Sequence, residues 1–196
     1  TIHKSDSTSA SFGIYNSASI SAGENAIINS RDDLINTGNI QANGYIDLDA
    51  TEEVINGAEN AVTGQIKAGG DVYLTSWKGN VTNYDNIQST AGQVVLENGF
   101  VYTLSDNDDT GLVNNILNTG SIVAQEDVLI RTYNGNIENK NIITSYAGSV
   151  MMEALQSEQY LPDQVNPIIV GQLKNTDTDN ATSNADITAN KGITLN

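Results

Sequence analysis

One short pattern recurs along the chain, and its spacing limits the fold more than any other feature. It consists of an isoleucine, a small residue two positions later, a turn, and two aliphatics at period two. The anchors are Ile20, Ile40, Ile66, Ile87, Ile122, Ile142 and Ile187. Their separations of 20, 26, 21, 35, 20 and 45 residues read as a base period of about 20, with insertions of about 6, 15 and 25. A fixed period of this length is the mark of a stacked repeat array. The insertions fall near 51–61, 97–117 and 153–180, and the rest of 1–196 reads as one repeat domain.

Within each unit the spacing is that of strands. The small residues are Ala22, Ala42, Ala68, Ser89, Ala124, Thr144 and Ala189. Period two places each on the same face as its anchor. The second strand carries Ala26/Ile28, Ile46/Leu48, Val72/Leu74, Val94/Leu96, Val128/Ile130, Val150/Met152 and Ile193/Leu195. A third element ahead of the anchor pairs an aliphatic with Asn: Ile14/Asn16, Leu34/Asn36, Val81/Asn83, Ile116/Asn118 and Ile137/Asn139. Twenty residues cannot bury such a face alone, but stacked copies can. Each anchor then lies about 4.8 Å from the next. The expected fold is all-β, a right-handed parallel β-helix of about seven coils. Its core includes the seven anchors with Leu48, Leu74, Leu96, Ile130 and Leu195.

Composition enters in support. The chain holds 26 Asn and 17 Gly but only 2 Pro, a balance that favours strands and tight turns. Asn tolerates left-handed backbone at a corner, and stacked inward Asn can pass amide hydrogen bonds between coils. The fixed offset of four residues before the anchor at Asn16, Asn36, Asn83 and Asn118 favours such a ladder over scattered turn residues.

The cleanest copies are Asn36-Thr37-Gly38-Asn39-Ile40-Gln41-Ala42 and Asn118-Thr119-Gly120-Ser121-Ile122-Val123-Ala124. The unit N-T-G-x-I-x-A-x-x-x-(I/V)-x-L resembles the repeats of the filamentous-haemagglutinin family, over roughly residues 12–196 between the insertions. These are large exoproteins of Gram-negative bacteria exported by two-partner secretion. The resemblance implies a β-helical shaft, secreted or on the cell surface, that acts in adhesion or as a stalk. The implied partner is a host or neighbour-cell ligand, with carbohydrate among the candidates. The family's N-terminal secretion domain is not recognisable here. The chain starts at Thr1 without a signal-like apolar stretch and reads as a segment of a longer shaft. The coil ending at Leu195 would leave open strand edges, which invite further coils or another subunit. The alternative readings are therefore a subunit of an extracellular filament, and a β-helix that binds or cleaves polysaccharide.

The net charge of −16, with 8 basic against 24 acidic residues, argues against nucleic acid and anionic membrane surfaces as partners. No run of about 18 apolar residues suggests membrane insertion. With no Cys and a single His, His3, thiolate sites and His-based triads are excluded, and no enzyme activity is expected. Asp106, Asp108, Asp109, Asp177 and Asp179 offer hard oxygen ligands, so calcium is the one cofactor considered. Neither acidic stretch has a complete calcium loop, and solvated loops are the simpler reading. Asn80 and Asn180 match the glycosylation pattern, which chance supplies in an Asn-rich chain.

The outward positions of the second strand are Ile27, Asp47, Tyr73, Val95, Leu129, Met151 and Thr194, and no two carboxylates are expected to adjoin on that face. Tyr73, Val95, Leu129 and Met151 form an apolar stripe, the candidate contact surface. The 97–117 insertion, with Phe100, Tyr102 and Leu104, is the expected cover for it.

Overall fold

The computed structural model describes residues 2–4, 13–59, 64–99, 114–133, 135–155, 173–175 and 187–196. Every regular element among them is a strand. The chain begins with β1 (Ile2–Lys4) and then visits three sheets in rotation. The first visits are β2 (Ile14–Asn16), β3 (Ser19–Ala22) and β4 (Ala26–Ser30). Next come β5 (Leu34–Asn36), β6 (Asn39–Ala42) and β7 (Ile46–Ala50). Then follow β8 (Val54–Asn56), β9 (Gln65–Ala68) and β10 (Val72–Ser76). The middle holds β11 (Val81–Asn83), β12 (Ile87–Ser89) and β13 (Val94–Asn98). Past it lie β14 (Ile116–Asn118), β15 (Ile122–Ala124) and β16 (Val128–Thr132). The remaining strands are β17 (Ile137–Asn139), β18 (Ile143–Ser145) and β19 (Ser149–Ala154), then β20 (Leu173–Asn175), β21 (Ile187–Ala189) and β22 (Gly192–Leu195).

Each sheet takes every third strand in chain order, and among the described strands all pairings are parallel except that of β1 with β2. Sheet 1 runs β1-β2-β5-β8-β11-β14-β17-β20, sheet 2 runs from β3 to β21, and sheet 3 from β4 to β22. This is a parallel β-helix. Rotation through three sheets follows from strand length. Three to six residues cross one side, and a turn then carries the chain to the next.

Register converts the repeat into a core. Ile40 pairs with Ile20 and Ile66, and Ile87 with Ile66 and Ile122. Leu48, Leu74, Leu96 and Ile130 stack in one line in sheet 3 and are wholly buried. At about 25 cal/mol per Å² of apolar surface, such ladders are the main source of stability.

Three sequence expectations, at Ile142, Thr144 and Leu195, are corrected. The sixth anchor is Ile143, not Ile142. Ile143 pairs with Ile122 and Ile187 and is fully buried, while Ile142 is 44% exposed. The small position beside it is Ser145, not Thr144. Of two adjacent isoleucines, only the one four residues after Asn139 keeps the step from ladder to anchor. Leu195 stacks on Met152 but is 49% exposed, because no described strand lies beyond it; Ile20 and Ile187, near the two ends, are partly buried.

The insertions also move. Val54–Asn56 is a strand of sheet 1, so the extra residues near 51–61 fall after Asn56. Strand β13 continues to Asn98 and β14 opens at Ile116, which narrows the 97–117 insertion from both sides. The 153–180 stretch begins inside β19 and contains β20, which pairs with β17. An aliphatic and an Asn are too short a signature to be noticed beside a change of length.

The N-T-G turn has a steric reason. A β-carbon on Gly38 would collide with the Ala18 carbonyl oxygen of the neighbouring turn, and one on Gly120 with that of Asp85. The bulk of a side chain there would prop the coils apart. Gly57, at the root of the first insertion, adopts φ 88°, a conformation only glycine takes at no steric cost.

Candidate functional surface

Two kinds of built polar feature stand out, one inside and one outside. Inside sheet 1, each Asn donates its Nδ2 to the Oδ1 of the next. The distances are 2.8 Å for Asn16 to Asn36, Asn36 to Asn56 and Asn56 to Asn83. They are 2.7 Å for Asn83 to Asn118 and Asn118 to Asn139. All six residues are buried, so every amide needs these partners. The ladder includes Asn56, which the first insertion separates from its anchor. Several Oδ1 atoms also accept a backbone N–H two residues on, as Asn36 does from Gly38 at 3.3 Å. The residue thus serves both ladder and turn.

Asp85 stands in the corner where other turns carry the N-T-G glycine. It is 5% exposed, and its carboxylate accepts N–H groups from Gly64 at 2.9 Å and Asn86 at 2.8 Å.

Outside, sheet 3 presents the candidate stripe. Tyr73, Val95, Leu129 and Met151 are in register on successive strands, as the repeat requires. Val95 is buried, and the other three are half-buried. The expected cover falls on residues 100–113, outside the described residues. So do Asp106, Asp108, Asp109, Asp177, Asp179 and Asn180. Among the described residues, no group of three or more His, Asp or Glu is placed to hold a metal ion. Asn80 is engaged at both ends of its amide, donating to Glu53 at 2.9 Å and accepting from the Asn115 N–H at 2.8 Å.

A second outward row, which the first outward position of each repeat does not announce, lies beside the stripe. It runs Asn29, Asp49, Thr75, Glu97, Arg131 and Glu153. Arg131 bridges Glu97 at 3.2 Å and Glu153 at 2.7 Å, and its guanidinium lies 5.9 Å from the Tyr133 ring centroid. Burial pushes the Glu97 carboxyl up, against the pull of Arg131.

This row corrects the expectation about carboxylates. Asp47 and Asp49 sit two residues apart on the same face of β7. Partial burial, and then the Asp49 charge, raise the Asp47 carboxyl above the usual range. Trp77 extends the surface and donates its Nε1 to Asp49 at 2.6 Å. The Tyr73 hydroxyl donates to Asp71 at 2.8 Å and accepts from Gln93 at 3.1 Å; burial first, then Asp71, holds it protonated. Reading the second outward position of each repeat, not only the first, would have revealed this row.

The fold and this surface define a parallel β-helix with an internal asparagine ladder and an outer face of apolar, aromatic and acidic residues. No family model, curated protein or solved structure matches the chain.

Proposed function

We propose that this chain is a structural and adhesive segment of a bacterial secreted or cell-surface exoprotein. The observation that supports it is the outer face of sheet 3. There the half-buried Tyr73, Leu129 and Met151 run in one registered line beside a charged row held by Arg131. Such a face suits contact with a broad ligand surface, since apolar rows add area and a charged border adds selectivity. A β-helix gives it the stiffness that a stalk needs. The resemblance of the N-T-G repeats to haemagglutinin-type exoproteins points the same way.

The test is binding of fluorescently labelled chain to epithelial and bacterial cells, with a glycan array as the carbohydrate arm. Replacing Tyr73, Leu129 and Met151 together by Ser should weaken binding at least about tenfold, equivalent to about 1.4 kcal/mol. Unchanged binding by a variant with an intact strand spectrum would remove sheet 3 as the contact face.

A further inference from the structure

The core fixes the inward residues of each strand and leaves the outward ones free to vary. A side-chain set that recurs among outward residues is therefore not dictated by the repeat. On β16, Arg131 stands between Glu97 of β13 and Glu153 of β19 and bridges both, at 3.2 and 2.7 Å. Tyr133 follows two residues on, its ring centroid 5.9 Å from the guanidinium. The set is an arginine, a carboxylate on each neighbouring strand, and an aromatic ring two positions along.

Two strands away in the sheet, the same set recurs with a threonine at the arginine position. Thr75 of β10 stands between Asp49 of β7 and Glu97 of β13. Trp77 follows two residues on, 41% exposed, with its Nε1 tied to Asp49 at 2.6 Å. The flanking strands are about 9.6 Å apart, two strand spacings, the same span that Arg131 bridges. Asp49 uses Oδ1 for Trp77, and Glu97 uses Oε1 for Arg131, so Oδ2 and Oε2 remain as acceptors. Asp47 adds a third carboxylate, raised first by burial and then by Asp49, with no hydrogen bond to offset either. The two outward rows from β4 to β19 thus hold four carboxylates, Asp47, Asp49, Glu97 and Glu153, against the one guanidinium of Arg131. Among the described residues, Arg31 and Lys78 on the adjoining turns form no ion pair with them.

We propose that the patch over Thr75, between Asp49 and Glu97 and beside Trp77, docks an arginine side chain of a partner protein. This rests on the reading of sheet 3 as the contact face and names the chemistry that the face selects. The face is net acidic, so its complement is basic. Arginine fits better than lysine, because its planar fork reaches two carboxylates at once and stacks on an indole, whereas an ammonium is a point charge. The line of Tyr73, Val95 and Leu129 alongside offers apolar area to the segment that carries the arginine.

Trp77 is the only tryptophan of the chain, so its fluorescence reports on this patch alone. The probe is a blocked Gly-Arg-Gly-Arg-Gly peptide, with Gly-Lys-Gly-Lys-Gly as the equal-charge control. The arginine peptide should change Trp77 emission saturably and bind at least about threefold tighter than the lysine peptide. Asp49→Asn with Glu97→Gln keeps side-chain size and an acceptor for Trp77 and Arg131, and should weaken binding at least about fivefold. Glu24→Gln with Glu126→Gln removes the same charge from exposed turns and should stay within about twofold of the parent. Thr75→Arg supplies the guanidinium from the chain itself. It should abolish the peptide response and melt higher than Gln41→Arg, which adds the same charge on sheet 2. A silent Trp77, equal losses from the two charge-removing pairs, or a Thr75→Arg chain that melts below Gln41→Arg overturns the proposal. Cell binding by the serine-replaced chain decides the adhesive reading separately. A patch that takes the peptide on a chain that binds no cells keeps the arginine site and removes the adhesive role. Cell binding through sheet 3 without a peptide response does the reverse.

Discussion

At the scale of single residues, the asparagine ladder shows how one side chain can be both a turn former and a core element. Asn56 sits mid-ladder, accepting from Asn36 and donating to Asn83. Asn56→Ala would orphan a buried donor on Asn36 and a buried acceptor on Asn83. At about 1–3 kcal/mol for each unsatisfied group, the loss should be about 2 kcal/mol or more. Asn16→Ala should cost less, because Asn36 Oδ1 keeps the Gly38 N–H. Urea midpoints compared at constant slope measure both; equal losses would mean that the ladder is not cooperative with its turns. Asp85→Ala belongs to the same class. It strips two backbone N–H groups of a buried carboxylate and should destabilise by about 1–3 kcal/mol in the same assay.

At the scale of the element, each strand has a buried and an outward side, and a substitution tells them apart. Leu74, wholly buried in β10, stacks between Leu48 and Leu96. Leu74→Asp puts a charge there without a partner and should abolish cooperative unfolding or melt the middle strands. Gln41→Asp on the outward side of β6 should stay within about 0.5 kcal/mol. Circular dichroism melts of the two variants check the assignment. The turns are equally sided. Gly38→Ala should cost about 1–3 kcal/mol, because its β-carbon meets backbone and not a side chain that can swing away.

At the scale of the whole molecule, acidity opposes stability. The chain carries −16, and Asp47 and Glu97 have carboxyls raised chiefly by burial. A carboxyl whose folded-state pKa lies above its unfolded value binds more protons when folded. Its contribution therefore favours the native state as pH falls through the folded pKa, and is lost as pH rises. The melting temperature should accordingly rise from about pH 7 towards about pH 5, just above the ordinary carboxylate range. Asp47→Asn should raise the neutral-pH value and flatten this dependence. A thermal scan showing lower stability at the mildly acidic pH, or no change on Asp47→Asn, would count against the burial argument.

The repeat by itself determined the fold class, the parallel stacking and nearly every inward position. A 20-residue period with two-residue alternation leaves few ways to bury one apolar face. It also determined the line Tyr73, Val95, Leu129 and Met151, since strands in register carry outward residues along with inward ones. Tertiary structure decided what local spacing leaves open. It selected Ile143 over Ile142, because only the pairing with Ile122 and Ile187 distinguishes two adjacent isoleucines. It recovered Val54–Asn56 and Leu173–Asn175 as sheet strands, whose two-residue signatures gain meaning only from their neighbours. It brought Arg131 between Glu97 and Glu153, residues 34 and 22 positions away along the chain. It also set β1 antiparallel on the edge of β2, because a segment outside the repeat has no period to announce its direction, and only the open edge it covers does so.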